Sequence, residues 1–211
     1  PHFLINPLGL RFDEVTASSL LRVTVDGVVL DNPLGAGGLF RQGFVIHAAV
    51  HKARHDAVCV WHCHHEDTAA ICMTRRGLLP LSQEAVSVYD EIAYHPFEGT
   101  ANDLSEQDRI EASLGQHKNI LLLENHGPLV LGSSVEMAFS LMYSVCRACT
   151  YQQKALAAVG GDVNQLLVPS QRSLNDMRDR ARLDRGRGQS FKDGGEAGSH
   201  ALMFRAMARL G

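Results

Sequence analysis

The fold and the candidate functional residues are indicated most clearly by one stretch, Ala57-Val58-Cys59-Val60-Trp61-His62-Cys63-His64-His65. It is an apolar run that ends in imidazoles, and we predict a buried strand over residues 57–64. Side chains alternate in direction along a strand, so His62 and His64 leave the same face and lie close together, as half of a metal site. The intervening residues are expected to point into packing on the other face: Cys59, Trp61 and Cys63.

A third histidine follows a second apolar run, Ile120–Leu123. His126 lies in Glu124-Asn125-His126-Gly127-Pro128, at a predicted tight reversal between two strands. Three histidines with an open fourth position are typical of a catalytic zinc site rather than a structural one. The chain has 11 histidines, so chance spacing is the alternative reading of these residues at this point.

Composition narrows the class of protein. The chain has 211 residues with 45% hydrophobic content, enough for one well-cored domain. A net charge of −3 provides no electrostatic attraction to nucleic acid or to an acidic membrane surface. The apolar runs are too short to span a bilayer, and we expect no signal peptide. Five cysteines, an odd number, indicate reduced thiols in a cytoplasmic protein.

The pattern along the chain predicts an α/β fold with a largely antiparallel sheet. Leu20–Leu30 is typical of a hairpin, with Asp26-Gly27 suited to a type I′ turn. Helical periodicity covers Phe40–Arg54, within which we interpret His47 as a packed imidazole or a partner of the metal ligands. Two capping boxes predict further helix starts, at Ser105 with Asp108 and at Ser133 with Glu136.

The C-terminal part differs in composition. Cys146-Arg147-Ala148-Cys149 matches a redox motif, but it lies mid-helix, so we interpret the pair as core rather than as a redox dithiol or zinc ribbon. Mixed charges over Gln171–Arg187 predict a solvated helix. We therefore divide the chain into a main domain at 1–185, a Gly-rich flexible segment at 186–199, and a C-terminal helix at 200–211 that packs on the body or on a neighbouring subunit.

Several ordered segments together resemble the class II aldolase/adducin head-domain family, from about His2 to Gly161, with a weaker similarity over His200–Leu210. The match is closer to adducin heads and their relatives than to sugar-phosphate aldolases. The segments that carry it are His2-Phe3-Leu4-Ile5-Asn6-Pro7-Leu8-Gly9-Leu10, Glu14-Val15-Thr16-Ala17-Ser18-Ser19-Leu20, His62-Cys63-His64, Leu79-Pro80-Leu81-Ser82-Gln83-Glu84-Ala85 and Glu124-Asn125-His126-Gly127-Pro128-Leu129-Val130.

This resemblance implies a three-layer α/β/α sandwich around a central, mainly antiparallel sheet, and a homotetramer with sites at subunit interfaces. It also implies that His62, His64 and His126 match the zinc-ligating histidines of the aldolases. In those enzymes zinc, or another divalent metal, polarises the oxygens of a small polyhydroxylated carbonyl substrate while a C–C bond breaks or forms.

Three departures from the aldolase pattern bear on activity. The acid/base glutamate of the aldolases would fall four residues before His47, where this chain has Gly43. The residues that match the aldolases' phosphate loop, Leu8 and Arg41-Gln42, do not supply the same hydroxyl donors, and the segment that completes that loop would precede Pro1. A catalytic tyrosine of the aldolases aligns roughly with Glu84, which is either a substitute acid/base or an ordinary polar loop residue.

The sequence therefore leaves two classes of function open. One is a zinc-dependent lyase (or epimerase) with His62, His64 and His126 as ligands and Glu84 as acid/base, acting on a small carbonyl compound that is not phosphorylated. The other is a non-catalytic, adducin-like oligomeric scaffold that works through cytoskeletal-type protein partners. The three histidines favour the first, and Gly43 favours the second.

Overall fold

The structure is a computed structural model that describes residues 1–35, 37–99 and 105–189, together with Phe204 and Met207; for residues 181–189 it describes the backbone alone. The strands are β1 (His2–Ile5), β2 (Leu21–Thr24), β3 (Val29–Asp31), β4 (Cys59–His62), β5 (Ile92–His95), β6 (Ile120–Leu123) and β7 (Gly127–Gly132). The α-helices are α1 (Arg41–Ala53), α2 (Glu66–Cys72), α3 (Gln83–Val88), α4 (Glu106–Leu114), α5 (Val135–Ala158) and α6 (Gln171–Gln189).

The first of two compact units comprises Pro1–Ala57 and Glu98–Gln116. Its sheet has the order β1-β2-β3 and is antiparallel throughout. Phe3 pairs with Val23 across β1 and β2, and both side chains are buried, as period-2 alternation predicts. Helices α1 and α4 pack against each other. The α1 face that the sequence marked as apolar is buried at Phe44 and Ala48.

The hairpin between β2 and β3 has a different turn from the one predicted. The Thr24 N–H donates to the Val28 carbonyl at 2.9 Å, which closes a three-residue loop. Only Gly27 in this loop has a positive φ, +89°, whereas a type I′ turn needs two such residues in a row. The type I′ prediction is therefore wrong, because Asp26 keeps an ordinary backbone conformation and Gly27 alone takes the left-handed one.

The second unit comprises Val58–Phe97 and His117–Gly211. Its sheet has the order β4-β7-β6-β5, with β5 and β6 parallel and the other two pairings antiparallel. Every residue of β6 and β7 is buried, which explains why they read as continuous apolar runs. Helices α2 and α5 pack against β7, and α3 packs against α5. The predicted α/β class with mainly antiparallel sheets is confirmed.

Helix starts show where the capping predictions succeeded and failed. Helix α4 begins at Glu106 and ends before Gly115, as predicted, but the Ser105 side chain makes no capping hydrogen bond. At α5 the cap is Ser134, whose hydroxyl accepts from the Met137 N–H at 3.2 Å, and not Ser133. A residue before a helix caps it only when its backbone is extended, and Ser134 has this conformation whereas Ser105 is helical.

The C-terminal predictions are covered only in part. Helix α6 continues through Gln189, four residues into the segment 186–199 that was predicted to be flexible. The C-terminal helix predicted for 200–211 lies outside the described residues except for Phe204 and Met207. The Phe204 ring packs edge-on against Phe139 of α5, with ring centroids 5.5 Å apart. The division of the chain at 185 and 199 stays a prediction.

Candidate metal centre

Strand β4 delivers the first two histidines from its C-terminal end. The strand ends at His62, and the Cys63 N–H still donates to the Pro128 carbonyl at 3.4 Å before the chain turns into α2. The Cys63 side chain packs against the hydrophobic core, so the imidazoles of His62 and His64 project to the opposite side. His62 is half-buried and His64 is exposed.

The turn between β6 and β7 delivers the third histidine. The His126 N–H donates to the Leu123 carbonyl at 3.1 Å, and the Asn125 N–H donates to the Cys72 carbonyl of α2 at 3.1 Å. Asn125 has φ of +56° and is the only non-glycine residue of the described chain with a positive φ. Asparagine tolerates this left-handed conformation better than most residues, which explains its place next to the ligand.

A close approach of two backbone segments sets the distance between the ligand pair and the third ligand. A Cβ atom at Gly127 would lie 2.7 Å from the Cys63 carbonyl oxygen, closer than real Cβ atoms come. Gly127 directly follows His126, and Cys63 lies between His62 and His64. The glycine is therefore required for the three histidines to lie as close together as they do.

The three imidazoles converge with near-threefold regularity. The Nε2 atom of His64 lies 3.0 Å from that of His62 and 2.8 Å from that of His126. The three ring centroids are 4.7–4.9 Å apart, and each pair of rings is inclined by 72–74°. Nitrogens about 2.0–2.1 Å from a tetrahedral zinc ion are about 3.3 Å apart, so small outward rotations of these rings create a fitting site. The donor set and the geometry both fit a divalent metal.

One hydrogen bond fixes the tautomer of His62. Its Nδ1 atom lies 2.9 Å from the Pro128 carbonyl oxygen, which can only accept, so Nδ1 carries the proton and donates it. The lone pair is then on Nε2, which faces the other two histidines. Metal-binding histidines are oriented by such a contact on the nitrogen opposite to the metal.

Electrostatics favour the uncharged form of His126. Burial lowers the pKa of His126 below the ordinary value, and the nearby His64 lowers it further. A histidine binds a metal only in its neutral form, so a lowered pKa keeps the ligand available in more acidic solution.

The candidate centre offers three protein ligand atoms. Among the described residues, no other His, Cys, Asp or Glu ligand atom joins the group in which all atoms lie within 4.8 Å of one another. A three-ligand site leaves a coordination position for water or a substrate oxygen, the arrangement of catalytic zinc sites. Imidazole nitrogen suits zinc, copper, iron and nickel, so the donors do not select one metal.

The other predicted site residues are placed elsewhere. Glu84 lies half-buried in the first turn of α3 and is not a member of the three-histidine group. Its charge acts on the guanidinium of Arg147, whose pKa is raised chiefly by the Tyr151 hydroxyl and to a smaller degree by Glu84. Gly43 lies in the first turn of α1, where a Cβ atom would meet the Phe40 ring at 3.1 Å.

His47, which the sequence left open, behaves as a packed imidazole. Burial is the main cause that lowers its pKa to about 4, and the neighbouring His51 contributes. A partner that stabilises a positive charge would have raised the pKa instead. This supports the packing interpretation of His47.

The opposite face of the β4 end differs from the prediction at one residue. Cys59 and Cys63 pack against the core as expected, but Trp61 remains 37% exposed. Its ring lies 6.0 Å from that of Phe139 and forms part of the wall of an open groove with a volume of about 270 Å³. The groove is lined by Trp61, His65, Phe139, Met142, Tyr143, Cys146, Arg147 and Thr150.

Sequence reasoning identified the three histidines that the structure brings together, but it missed the residues that hold them. Pro128, Gly127 and Asn125 act through backbone geometry: a carbonyl acceptor, a close approach and a left-handed turn. The sequence signal was present in Asn125-His126-Gly127-Pro128, because these turn residues between two apolar runs predict a reversal with unusual backbone angles.

This fold and this centre agree with one family. Residues 1–153 match the model of the Class II Aldolase and Adducin N-terminal domain, which covers more than half of the chain. The chain belongs to the class II aldolase and adducin family, as the sequence resemblance indicated.

Related proteins of known sequence include both branches of this family. The chain is 44% identical over 174 residues to a protein of Caulobacter vibrioides provisionally named as an aldolase class 2 protein, a match that covers 80% of this chain and 63% of that one. It is 41% identical over 167 residues to alpha-adducin of Rattus norvegicus, a match that covers 79% of this chain and 23% of adducin. The chain thus spans under two thirds of these relatives.

Solved structures confirm the predicted class II aldolase fold. An aldolase II superfamily protein from Pseudomonas syringae superposes with a TM-score of 0.84 at 38% identity, covering 99% of this chain and 77% of that one. An L-fuculose 1-phosphate aldolase from Glaciozyma antarctica superposes with a TM-score of 0.73 at 26% identity, covering 85% of this chain and 67% of that one.

None of the described helices has the length and apolar character that a bilayer crossing requires.

Proposed function

We propose that this protein holds a divalent metal ion, zinc in the first instance, and uses it as a lyase that cleaves or forms C–C bonds in a small polyhydroxylated carbonyl compound. The ligands are His62, His64 and His126. The observation that carries this proposal is the convergence of their Nε2 atoms, 2.8 and 3.0 Å apart, with His62 held in its metal-binding tautomer by Pro128.

The protein's own contribution is to prepare the site. When bound, the metal supplies Lewis acidity toward a carbonyl or hydroxyl oxygen. The two strand ends hold three imidazoles close together, and no fourth protein ligand among the described residues competes for the remaining position. The exposed side of His64 leaves that position open to a small molecule from solvent.

Proton transfer is assigned to Glu84 as part of this proposal. Its carboxylate is half-buried in the first turn of α3, and its charge interacts with the guanidinium of Arg147. A charged carboxylate is the form that accepts a proton from a substrate hydroxyl. Gly43 cannot serve, because glycine has no side chain.

A second candidate function is a non-catalytic, oligomeric scaffold of the adducin type, with protein partners. Two observations favour it: Gly43 stands where the aldolases carry their acid/base, and the chain is 41% identical to alpha-adducin. The histidines would then hold an ion that stabilises the fold. In either case we propose a homotetramer in the cytoplasm.

The lyase and the scaffold can be distinguished by measuring metal content and enzymatic turnover on the same protein preparations. The protein is purified without added metal, its zinc is measured, and cleavage is assayed on a panel of non-phosphorylated hydroxy-aldehydes and hydroxy-acids. The lyase proposal predicts turnover that disappears in His126→Ala together with the metal. It also predicts that Glu84→Gln loses turnover but keeps the metal.

The matched control for Glu84→Gln is Glu136→Gln, another glutamate in the first turn of a helix, on α5. It is expected to keep both metal and turnover. Retained metal with no turnover on any substrate of the panel, and a lower melting temperature in His126→Ala, would contradict the lyase and support the scaffold.

A further inference from the structure

Three sulfur atoms form a second cluster on the side of Cys63 away from the imidazoles. The Sγ atom of Cys63 lies 3.5 Å from the Sδ atom of Met142, and the Sγ atom of Cys146 lies 3.8 Å from the same Sδ. Both thiols donate to this one thioether sulfur, so Met142 joins the two cysteines. We call these three residues the sulfur cluster.

Two elements of the fold hold the sulfur cluster together. Met142 and Cys146 are four residues apart on α5, so their side chains lie on the same face of that helix. Cys63 reaches them from the end of β4, which packs against α5. Both cysteines are free thiols, and both are half-buried at the edge of the hydrophobic core.

The spacing of these sulfurs suits a three-coordinate metal ion. At a metal–sulfur distance of about 2.3 Å, three sulfurs around a trigonal ion are about 4.0 Å apart. The two measured separations, 3.5 and 3.8 Å, are within half an ångström of this value. Two thiolates and a thioether are soft ligands, and the thioether favours Cu(I), because zinc sites in proteins use thiolate, imidazole and carboxylate ligands.

We propose that Cys63, Met142 and Cys146 form a binding site for one Cu(I) ion, separate from the three-histidine centre. Binding converts two thiols into thiolates and releases two protons to solvent, and no electron is transferred. The complex carries one negative charge. One short segment, His62-Cys63-His64, then contributes to two sites. Its imidazoles bind a divalent metal such as zinc, and its thiol binds Cu(I).

The surroundings of the sulfur cluster provide access and charge balance. Met142 and Cys146 both line the open groove of about 270 Å³, so an ion reaches them without unfolding of the helix. Aromatic rings form part of the remaining wall, from Trp61, Phe139 and Tyr143. Arg147 lines the same groove, so the groove that leads to the sulfur cluster carries a positive side chain.

The test is Cu(I) binding by the full chain, reduced and kept without oxygen. Zinc is added first, so that the histidines are occupied, and Cu(I) is then titrated in competition with a chromogenic Cu(I) chelator. X-ray absorption at the copper edge identifies the ligand atoms. We expect one Cu(I) per chain, a shell of three sulfurs at about 2.3 Å, and zinc retained in full.

Variants separate a true ligand set from packed side chains. Met142→Leu keeps volume and apolar character while it removes one sulfur, so the fold is preserved. It is expected to weaken Cu(I) binding by about tenfold or more, the scale seen even for outer contacts of metal sites. Cys146→Ala is expected to abolish the three-sulfur shell. Cys59→Ala, which removes a half-buried thiol of β4 outside the cluster, is the matched control and leaves binding unchanged.

Two results would overturn the proposal. One is a copper shell made of nitrogen or oxygen, which would place Cu(I) on the histidines or elsewhere. The other is equal Cu(I) affinity in Met142→Leu, Cys146→Ala and the unchanged protein, with all three folded by circular dichroism. In that case the three sulfurs only fill the edge of the core.

Discussion

The Nδ1 atom of His62 donates a hydrogen bond to the Pro128 carbonyl oxygen at 2.9 Å. This contact joins a ligand on β4 to the first residues of β7, the strand that directly follows the ligand His126. The antiparallel pairing of the two strands, in which His62 faces Leu129, therefore positions all three imidazoles. The arrangement of the three histidines depends on sheet register, so changes to the backbone here are expected to act on the proposed metal binding.

Substitution of Gly127 by alanine is expected to separate the strands that carry the ligands. The new Cβ atom would lie 2.7 Å from the Cys63 carbonyl oxygen, so one backbone must move. We expect a loss of about 1–3 kcal/mol in the free energy of unfolding. We also expect zinc affinity to fall by about 10–100-fold, as for lost supporting contacts in other metal sites.

The control for Gly127→Ala is Gly38→Ala, where a Cβ atom meets nothing within 4 Å. That variant should match the unchanged protein in urea unfolding and in zinc titration. Unchanged zinc affinity in Gly127→Ala would show that the close approach does not govern the metal centre.

Asn125 is expected to contribute through its backbone angle. Its φ of +56° is unfavourable for residues with a Cβ atom, by about 1–2 kcal/mol, and asparagine and glycine tolerate it best. Asn125→Ala should therefore lower the free energy of unfolding by about 1 kcal/mol, and Asn125→Gly should differ from the unchanged protein by only a few tenths. Equal stability of the two variants would refute this account of the turn.

Gln152 is expected to hold the chain that leads to α3. It is buried, its Oε1 accepts from the Leu79 N–H at 2.7 Å, and its Nε2 donates to the Gly77 carbonyl at 2.9 Å. Gln152→Leu leaves both backbone groups without this partner, and we expect a loss of about 2–4 kcal/mol in thermal or urea unfolding. The same change at the exposed Gln165 is the control, with an expected effect within about 0.5 kcal/mol.

His47 is expected to make stability depend on pH. Its pKa falls from 6.5 to about 4 on folding, chiefly because burial disfavours the charged ring. Above pH 6.5 the ring is neutral in both states, whereas between pH 6.5 and 4 only the unfolded chain takes up the proton. The free energy of unfolding should therefore decrease by about 3 kcal/mol as pH falls through this window.

Urea unfolding of His47→Gln across the same pH range tests this prediction. The variant has no titrating group at this position and should lack that part of the decrease. His55→Gln, a change at an exposed histidine, should keep the pH profile of the unchanged protein. Identical profiles for His47→Gln and the unchanged protein would contradict the assignment.

The sequence was sufficient for the features that depend on periodicity. Alternation along β4 placed His62 and His64 together, and the apolar run before His126 located the third histidine of the cluster. The α/β class, the strands β6 and β7 and the long helix α5 followed in the same way, because buried strands and amphipathic helices leave regular apolar patterns.

Features that depend on backbone conformation or on distant packing were not accessible from the sequence. The turn at Gly27 and the cap at Ser134 each depend on the φ and ψ of one residue. A neighbouring residue of similar type fits the same sequence pattern, so the pattern does not show which of the two has that conformation. Trp61 was expected to be buried, but it forms the wall of an open groove with Phe139 from a distant helix. Alternation along a strand predicts which face of the sheet a side chain points to, but it does not predict which residues pack on that face.

The most direct test of the metal centre is X-ray absorption at the zinc edge of the purified, zinc-loaded protein, with His126→Ala as its pair. We expect three imidazole nitrogens and one further light atom at about 2.0–2.1 Å in the unchanged protein, and two imidazoles or no bound zinc in the variant. A shell with fewer than three imidazoles in the unchanged protein, or the same shell in both proteins, would contradict the three-histidine centre.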